Sequence, residues 1–592
     1  MAPGKYDLSI AIGGEAGQGI ATPGDILARI FVRRGLHLNT YNAYQSIIRG
    51  GHIFLTVRIS DQEIYSHGDK LDLLLCLNQD TMDRHLNLMG PGSRVVFNSD
   101  SIQPGKVNEG AYLCPIPVGD LTQSRNRLIQ NTVAVGVVAS LMGLDFNVLE
   151  ESLSLRFQRQ GETIVSENVS VARAGFDYAQ ANFEPFPEVL PNGGKPLGVW
   201  AGNDALAMGG AAAGVKFYAA YPMSPSTGVL HWMAQNARNL DIMVRQVEDE
   251  IAVANMVIGA AHTGCRAMCA TSGGGFALMT EAIGAASMME IPVVYINVQR
   301  AGPSTGVPTK TEQGDLWQAL GASQGDYESL VVAPKDALDA YNSVAELFNL
   351  ADKFQCPGII ISDLLISEGR YSFDPDQVNL NPKIDRGELI TQPKKENGYQ
   401  RYKFTESGVS PRAIPGLEGY VHIVATDEHD EDGVLISDEF THPHKRRKMV
   451  EKRARKFQNI DQEVAAPELE GPADAEVTLI GWGSTYGVIK EAVQQLKEQG
   501  INANQLPVKW LIPLNGDAIS VTLAKCQRTI IVENNYSGQF ARYLRSETGF
   551  AANGHIRKYD GEPFMPHHIV DGVLEQLSGK TNHSVPYQEV IV

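Results

Sequence analysis

The chain is poor in cysteine, in long apolar runs and in positive charge, and each shortage removes a class of protein. Its 592 residues hold six cysteines, at 76, 114, 265, 269, 356 and 526, and only Cys265 and Cys269 stand close together, on a strand-like run. No four of them have the spacing of an iron–sulfur cluster or a structural zinc, so they read as buried, reduced packing residues, and no metal site is expected in this chain. No uninterrupted apolar stretch approaches the ~20 residues that span a bilayer, and the first residues lack the apolar segment and cleavage site of a signal peptide. The expectation is a cytoplasmic protein without membrane contact. With 50 Lys and Arg against 68 Asp and Glu, the net charge of −18 argues against a general affinity for nucleic-acid phosphates. No repeat of solenoid period is visible either.

What is present is chain enough for three or four cores, in a strand–helix alternation that predicts an α/β, multidomain protein. Residues 1–183 form a first α/β domain. It opens with a buried strand at 7–12, the turn Gly13-Gly14-Glu15-Ala16-Gly17-Gln18-Gly19-Ile20 and a helix over 26–34. Such a turn can approach an anion with its backbone N–H groups, or simply allow close packing, and its spacing fits neither the dinucleotide fingerprint nor the Walker pattern. Arg49-Gly50-Gly51 then leads into an alternating strand. Residues 184–197, with four prolines and two glycines, read as a linker. A second domain covers 198–371, an extended connector with one basic helix covers 372–470, and a third α/β domain covers 471–592.

The chemistry is concentrated between Tyr221 and Leu316. Three loops rich in Gly, Pro and hydroxyl groups each follow an apolar, strand-like run, and in open parallel sheets ligands sit at such loops. Arg300, in Arg-Ala-Gly-Pro-Ser-Thr-Gly-Val-Pro-Thr, offers a planar clamp for a carboxylate, with Ser304, Thr305 and Thr309 as further donors. The alternative is an arginine that pairs with Glu312 or Asp315 to hold the loop. Ser224 lies between two prolines that stiffen its backbone, or is an ordinary turn serine. Glu250 heads a run that is apolar on nearly every face and is expected to be a buried helix. There an apolar surround would favour a protonated carboxyl able to share its proton with a ligand nitrogen, as a thiamine site requires. Plain helix capping is the alternative for Glu250, and solvated turn charge for Glu248 and Asp249.

Several stretches carry a family resemblance: Tyr221-Pro-Met-Ser-Pro-Ser-Thr, Glu248-Asp-Glu-Ile-Ala, Thr271-Ser-Gly-Gly-Gly-Phe, Gly302-Pro-Ser-Thr-Gly-Val-Pro-Thr-Lys-Thr-Glu-Gln and Glu533-Asn-Asn-Tyr-Ser-Gly-Gln. Over essentially its whole length the chain resembles the alpha subunit of 2-oxoacid:ferredoxin oxidoreductases, in the form fused behind a gamma domain whose marks are similar to Gly-Gly-Glu-Ala-Gly-Gln-Gly-Ile and Arg-Gly-Gly. Gly408-Val-Ser-Pro-Arg and Asp427-Glu-His-Asp-Glu look most like the 2-oxoglutarate branch. The resemblance implies a gamma-type domain that contributes to coenzyme A binding, a pyrimidine-binding thiamine-diphosphate domain and a transketolase C-terminal-like domain. It makes Glu250 the partner of the pyrimidine nitrogen and Arg300 and Thr309 the contacts of the substrate carboxylate. It makes Ser224 the substrate-loop hydroxyl, where the family usually has threonine, and it puts Tyr221, Pro222, Ser272 and Gly273 against the cofactor.

Against that family one absence is informative. Thiamine diphosphate is normally anchored through a magnesium ion by a Gly-Asp-Gly module, and the sequence contains none; Asn515-Gly516-Asp517-Ala518 is not a convincing substitute. The resemblance therefore implies a beta subunit that supplies the diphosphate and Mg2+ site and a [4Fe-4S] cluster, in an assembly expected to be alpha2beta2. The implied reaction is decarboxylation of a 2-oxoacid, electron transfer through the partner to ferredoxin and acyl transfer to coenzyme A. A pyruvate or broad 2-oxoacid enzyme, a thiamine-dependent dehydrogenase without ferredoxin and a coenzyme-binding scaffold are the competing readings. The basic run 444–456 is expected to be a solvated helix or a contact to the acidic connector, with docking of ferredoxin or coenzyme A phosphates as the alternative. The acidic run 427–432 with His429 reads as an exposed loop rather than a metal site, and His442 and His444 as loop residues.

Overall fold

The computed structural model describes residues 6–45, 50–122, 127–393, 398–436 and 442–587. Arg49 of the Arg-Gly-Gly stretch lies outside them. The architecture is α/β throughout, built on three main sheets.

The first sheet has eight strands, in spatial order Tyr112–Ile116, Arg94–Asn98, Leu73–Cys76, Asp7–Ala16, Gly50–Ser60, His37–Ala43, Arg370–Phe373 and Gly198–Ala201. Its last two strands come from either end of the second α/β region, so this sheet is completed by residues far along the chain. The opening strand continues through Ala16, paired with Gly50–Ser60, so the glycine-rich turn is confined to 17–20 and the helix starts at Ala21 rather than 26. Gly13 and Gly14 belong to that strand, paired with Phe54 and Ile53, and Thr81 and Gln18 pack where a side chain on each would be.

The second sheet has the order Trp510–Ile512, Leu330–Val332, Pro357–Asp363, Val293–Gln299, Arg266–Thr271, Val215–Ala220 and Met243–Gln246. Apart from the antiparallel Trp510–Ile512, its strands run parallel. Arg266–Thr271, Val293–Gln299 and Pro357–Asp363 are buried at every position, as parallel strands covered on both faces must be, and this is why they read as continuous apolar runs. The third sheet, centred on Val477–Trp482 and Thr529–Glu533, forms the C-terminal region.

Long-range charge pairs seat these units on one another. Arg58 of the first sheet bonds Asp7 at 2.8 Å and Glu491 of the C-terminal region at 2.6 Å, and Glu491 also accepts the N–H groups of Tyr65 and Ser66. Between 374 and 470 regular structure is sparse, and the basic helix, Pro443–Arg455, is the longest element there among the described residues. None of the described helices is long and apolar enough to cross a membrane.

Candidate active site

Because Val215–Ala220, Met243–Gln246, Arg266–Thr271 and Val293–Gln299 are neighbouring parallel strands, the loops that follow them emerge at one edge of the sheet. They deliver Tyr221 to Pro225, Glu250, Ser272 with Gly273, and Arg300 with Thr309.

Glu250 is the first residue of the helix Glu250–His262, but it does not cap it. The cap is Asp249, whose carboxylate accepts the Ala252 N–H at 2.7 Å, while Glu248 is exposed. Asp249 is exposed, as a solvated turn charge would be, but it also makes the cap, which removes capping as the role of Glu250. Glu250 is 4% exposed, and its Oε1 has no hydrogen-bond partner among the described residues. A buried carboxyl oxygen left unpaired costs on the order of 1–3 kcal/mol, which a fold accepts where a ligand completes the bond. Gly275 makes room for it: a Cβ there would stand 2.6 Å from Glu250 Oε1. Ser272, at the N-cap of the helix Gly273–Met288, is buried with its Oγ also unpartnered.

Arg300 follows its strand directly and is 8% exposed. Its Nη1 donates to the backbone carbonyl of Ser224 at 2.7 Å, and its Nε has no partner among the described residues. The link to Ser224 thus runs through the main chain, which a reading based on the serine hydroxyl does not reveal. Burial lowers the guanidinium pKa, with Asp315 opposing. Asp315 itself is held by Asn297 and by the Gln299 side chain, so it shapes the field at Arg300 while the hydrogen bond of Arg300 goes elsewhere. Burial pushes the Glu312 carboxyl up to about 7, a bond from the Gly302 N–H opposes this, and Asp315 adds to it.

The Arg300 loop closes on itself, with Val307 N–H donating to Ala301 O at 2.8 Å and Ala301 N–H to Lys310 O at 3.0 Å. Gly306 sits in the left-handed region at φ 54°, and a Cβ there would be 1.9 Å from Ala301 O, so only glycine makes this turn. The closure buries Thr309 and puts Ser304 and Thr305 at the exposed tip. Those two are therefore not brought in beside Arg300 as expected. Tyr221 packs half-buried against the core, Pro222 is exposed, and a Cβ on Gly273 would meet Asp315 Oδ2 at 2.9 Å.

Gln313, which residue chemistry did not single out, is fully buried and locks this loop to the C-terminal region. Its N–H and Oε1 pair with the backbone of Asn534 at 2.7 and 3.0 Å, and its Nε2 donates to Trp482 O at 2.7 Å. Asn535 donates to Gln313 O and Gln539 to Gly314 O. Glu533-Asn-Asn-Tyr-Ser-Gly-Gln is thus the clasp of the Arg300 loop.

Two expectations are corrected, and a third holds in one of its two forms. The helix Glu250–His262 is not buried all round, since Ile251 and Met256 are 53% and 38% exposed, and Leu278 of the adjoining helix is 52% exposed. The basic helix makes the expected contact to the acidic connector: Lys445 and Arg446 bond Asp430 and Glu428, and Arg453 bonds Glu428, while buried Lys452 and Lys456 both grip Glu290. The acidic run is not an exposed loop, because His429 and Asp430 are buried. His442 is the N-cap of that basic helix, and among the described residues no group of three or more His, Cys, Asp or Glu is arranged to hold a metal ion.

Comparison with known proteins agrees with this organisation. Residues 208–452 match the family model described as pyruvate flavodoxin/ferredoxin oxidoreductase, thiamine diP-bdg; residues 9–178 match pyruvate ferredoxin/flavodoxin oxidoreductase, and residues 475–569 match pyruvate:ferredoxin oxidoreductase core domain II. The chain is 30% identical to the 2-oxoacid:ferredoxin oxidoreductase 2 alpha subunit of Aeropyrum pernix, over 96% of this chain and 98% of the relative. It is 29% identical to the 2-oxoglutarate oxidoreductase subunit KorA of Mycobacterium tuberculosis, over 97% and 92%. The solved 2-oxoglutarate:ferredoxin oxidoreductase of Magnetococcus marinus, with 2-oxoglutarate, coenzyme A and succinyl-CoA bound, superposes with a TM-score of 0.89 at 32% identity, covering 96% of this chain and 99% of that one. With near-full-length similarity to alpha subunits and a match to a thiamine-diphosphate-binding domain together in one chain, it belongs to the 2-oxoacid:ferredoxin oxidoreductases, as an alpha subunit of these enzymes of oxidative decarboxylation.

Proposed function

We propose that the chain acts as the alpha subunit of a 2-oxoglutarate:ferredoxin oxidoreductase, converting 2-oxoglutarate and coenzyme A to succinyl-CoA and carbon dioxide while two electrons pass singly to ferredoxin. The observation that carries this reading is the buried, unpartnered carboxyl of Glu250 beside the unpartnered Ser272 hydroxyl, at the sheet edge that also holds Arg300. Thiamine diphosphate, when bound, supplies the carbon nucleophile that adds to the ketone and the electron sink for loss of carbon dioxide.

Glu250 holds a proton against the pyrimidine nitrogen and keeps that ring in its reactive tautomer. Arg300 binds the substrate carboxylate through the guanidinium atoms that the Ser224 carbonyl leaves available, and Thr309 lines the same loop. Ser224 serves by its carbonyl, which fixes the guanidinium plane. Tyr221, Pro222 and Gly273 shape the wall on the cofactor side. Gly408-Val-Ser-Pro-Arg412 marks the 2-oxoglutarate branch without belonging to this pocket, for Arg412 is buried against Ala261 O and Asp352.

Coenzyme A has a route at the seam with the N-terminal sheet. A cavity of about 660 Å³ is lined by Gly17, Gly19, Asn203, Thr227, His231 and Arg370. Asn203 is 3% exposed, with its Oδ1 unpaired and its Nδ2 bonded to Pro225 O at 2.8 Å, so the cavity adjoins the substrate loop. The beta subunit covers the exposed apolar face of Ile251, Met256 and Leu278 that borders Glu250. It carries the Mg2+ and diphosphate site and the [4Fe-4S] cluster, for which this sequence has neither Gly-Asp-Gly nor a cysteine set.

The purified alpha–beta complex tests the reading through coenzyme A-dependent reduction of a low-potential acceptor. We expect kcat/KM for 2-oxoglutarate to exceed that for pyruvate by about tenfold or more. A preference for pyruvate would overturn the substrate assignment.

A further inference from the structure

Glu562 has no part in the chemistry above, yet three distant parts of the chain meet at its carboxylate. Tyr41, from the first sheet, donates its phenol to Oε2, and Lys310, from the Arg300 loop, donates its ammonium to Oε1. The carboxylate is held in turn: Glu562 is 8% exposed, its N–H donates to Asp560 Oδ1 at 3.0 Å, and buried Lys558 grips the same Asp560 at 2.5 Å. Tyr41 is buried, and burial together with the Glu562 charge raises its pKa well above the ordinary value, so it remains a donor at neutral pH.

Lys310 cannot move alone. Its carbonyl accepts the Ala301 N–H at 3.0 Å, beside Arg300; Thr309 precedes it, and Thr311 N–H donates to Gly561 O at 3.0 Å, beside Glu562. Displacing the Lys310 ammonium therefore pulls on the residues flanking Arg300 and Thr309. A carboxylate suits this position because it accepts two donors at once, one of them charged, in a largely desolvated place where charge-assisted bonds are strong. A glutamine would offer one acceptor oxygen and turn an N–H toward one of the donors.

We propose that Glu562 is a positioning residue for 2-oxoacid binding: by fixing Lys310 it sets the aim of Arg300, and by taking the Tyr41 phenol it couples that aim to the seating of the N-terminal sheet. The proposal rests on the reading of Arg300 and Thr309 as the substrate-carboxylate contacts.

Steady-state kinetics of the alpha–beta complex carrying Glu562→Gln, Lys310→Met, both together, or Arg300→Lys decides the matter. We expect Glu562→Gln and Lys310→Met each to raise KM for 2-oxoglutarate about tenfold, with kcat and KM for coenzyme A within about threefold, and the double variant to be no worse than either single. The charge exchange Lys310→Glu with Glu562→Lys should recover most of the lost KM. An unchanged KM, an additive double variant, or an equal loss in kcat and both KM values would overturn the proposal. If Arg300→Lys raises KM and Glu562→Gln does not, the positioning role falls and the substrate reading stands; if neither does, the substrate reading falls. Should Glu562→Gln fail to assemble with the beta subunit, Lys310→Met decides by the same criterion, since it leaves Glu562 bonded to Tyr41.

Discussion

The two ends of the helix Gly273–Met288 handle buried charge in opposite ways. At its N-terminal end Glu250 and Ser272 are buried with oxygens that nothing among the described residues satisfies. Just past its C-terminal end, fully buried Glu290 accepts a hydrogen bond from Lys452 on Oε1 at 2.6 Å and is ion-paired with Lys456 through Oε2 at 2.7 Å, and Arg401 donates to the carbonyls of Met289 and Glu290. Burial by itself pushes the Glu290 carboxyl up, but Lys456, Lys452 and Arg401 outweigh it and hold it far below the carboxylate range. Cations at a helix C-terminus also complement its dipole, so this end is electrostatically complete. A complete cluster is fixed by the fold and has no capacity left for a ligand. An incomplete one is the place where a ligand supplies what the fold withheld.

Removing one carboxylate from each end should break the protein in two different ways. Glu290→Gln leaves two buried ammonium groups without their counter-charge, and we expect a loss of about 3–5 kcal/mol of stability, read as an earlier unfolding transition in denaturant, and poor recovery of folded chain. The stabilisation that Glu290 gives is present above the unfolded carboxyl pKa of about 4.3 and is lost as pH falls through the lower folded value. Glu250→Gln should behave in the reverse sense. The unfolding transition should stay in place, because no bond is lost, while turnover of the complex falls about a hundredfold or more and thiamine diphosphate binds more weakly. Equal losses of stability in the two variants would show that the unpaired oxygens of Glu250 and Ser272 do not mark a site.

The contrast was only half legible in the sequence. Arg266–Thr271 and Val293–Gln299 could be placed as strands because parallel strands covered on both faces are apolar at every position. The loops after them followed, and family resemblance attached roles to Glu250 and Arg300. Partners could not be read, because Gln313 and Asn534, Lys310 and Glu562, or Glu290 and Lys452 lie more than a hundred residues apart in sequence and meet only when separate sheets dock. The exposed side of the helix Glu250–His262 was hidden for another reason. A run such as Ile-Ala-Val-Ala-Asn-Met-Val-Ile has the same composition whether its second face meets a core or a partner subunit, so periodicity cannot tell the two apart. The basic helix was legible only as a choice between solvent and the acidic connector, and the ion pairs to Glu428 and Asp430 decide for the connector.

The smallest effect expected lies within the Arg300 loop and sharpens the comparison by titration. Burial lifts the Glu312 carboxyl to about 7, so near neutrality it gains a negative charge on a loop where Asp315 already sits within reach of the Arg300 field. Its folded pKa stands above the unfolded value, so the folded state binds the extra proton. Stability therefore falls as pH rises from about 4.3 to about 7 and is level beyond, the opposite sign to Glu290. In Glu312→Gln the slope of unfolding free energy against pH over that window should flatten. The second consequence is catalytic. Ionised Glu312 competes with the substrate carboxylate for the positive field of the loop, so KM for the 2-oxoacid should rise about two- to fivefold from pH 6 to pH 8 in the native enzyme and stay flat in Glu312→Gln. A flattened stability slope with an unchanged KM profile would place Glu312 outside the reach of the substrate, and would confine the incomplete cluster to Glu250, Ser272 and Arg300.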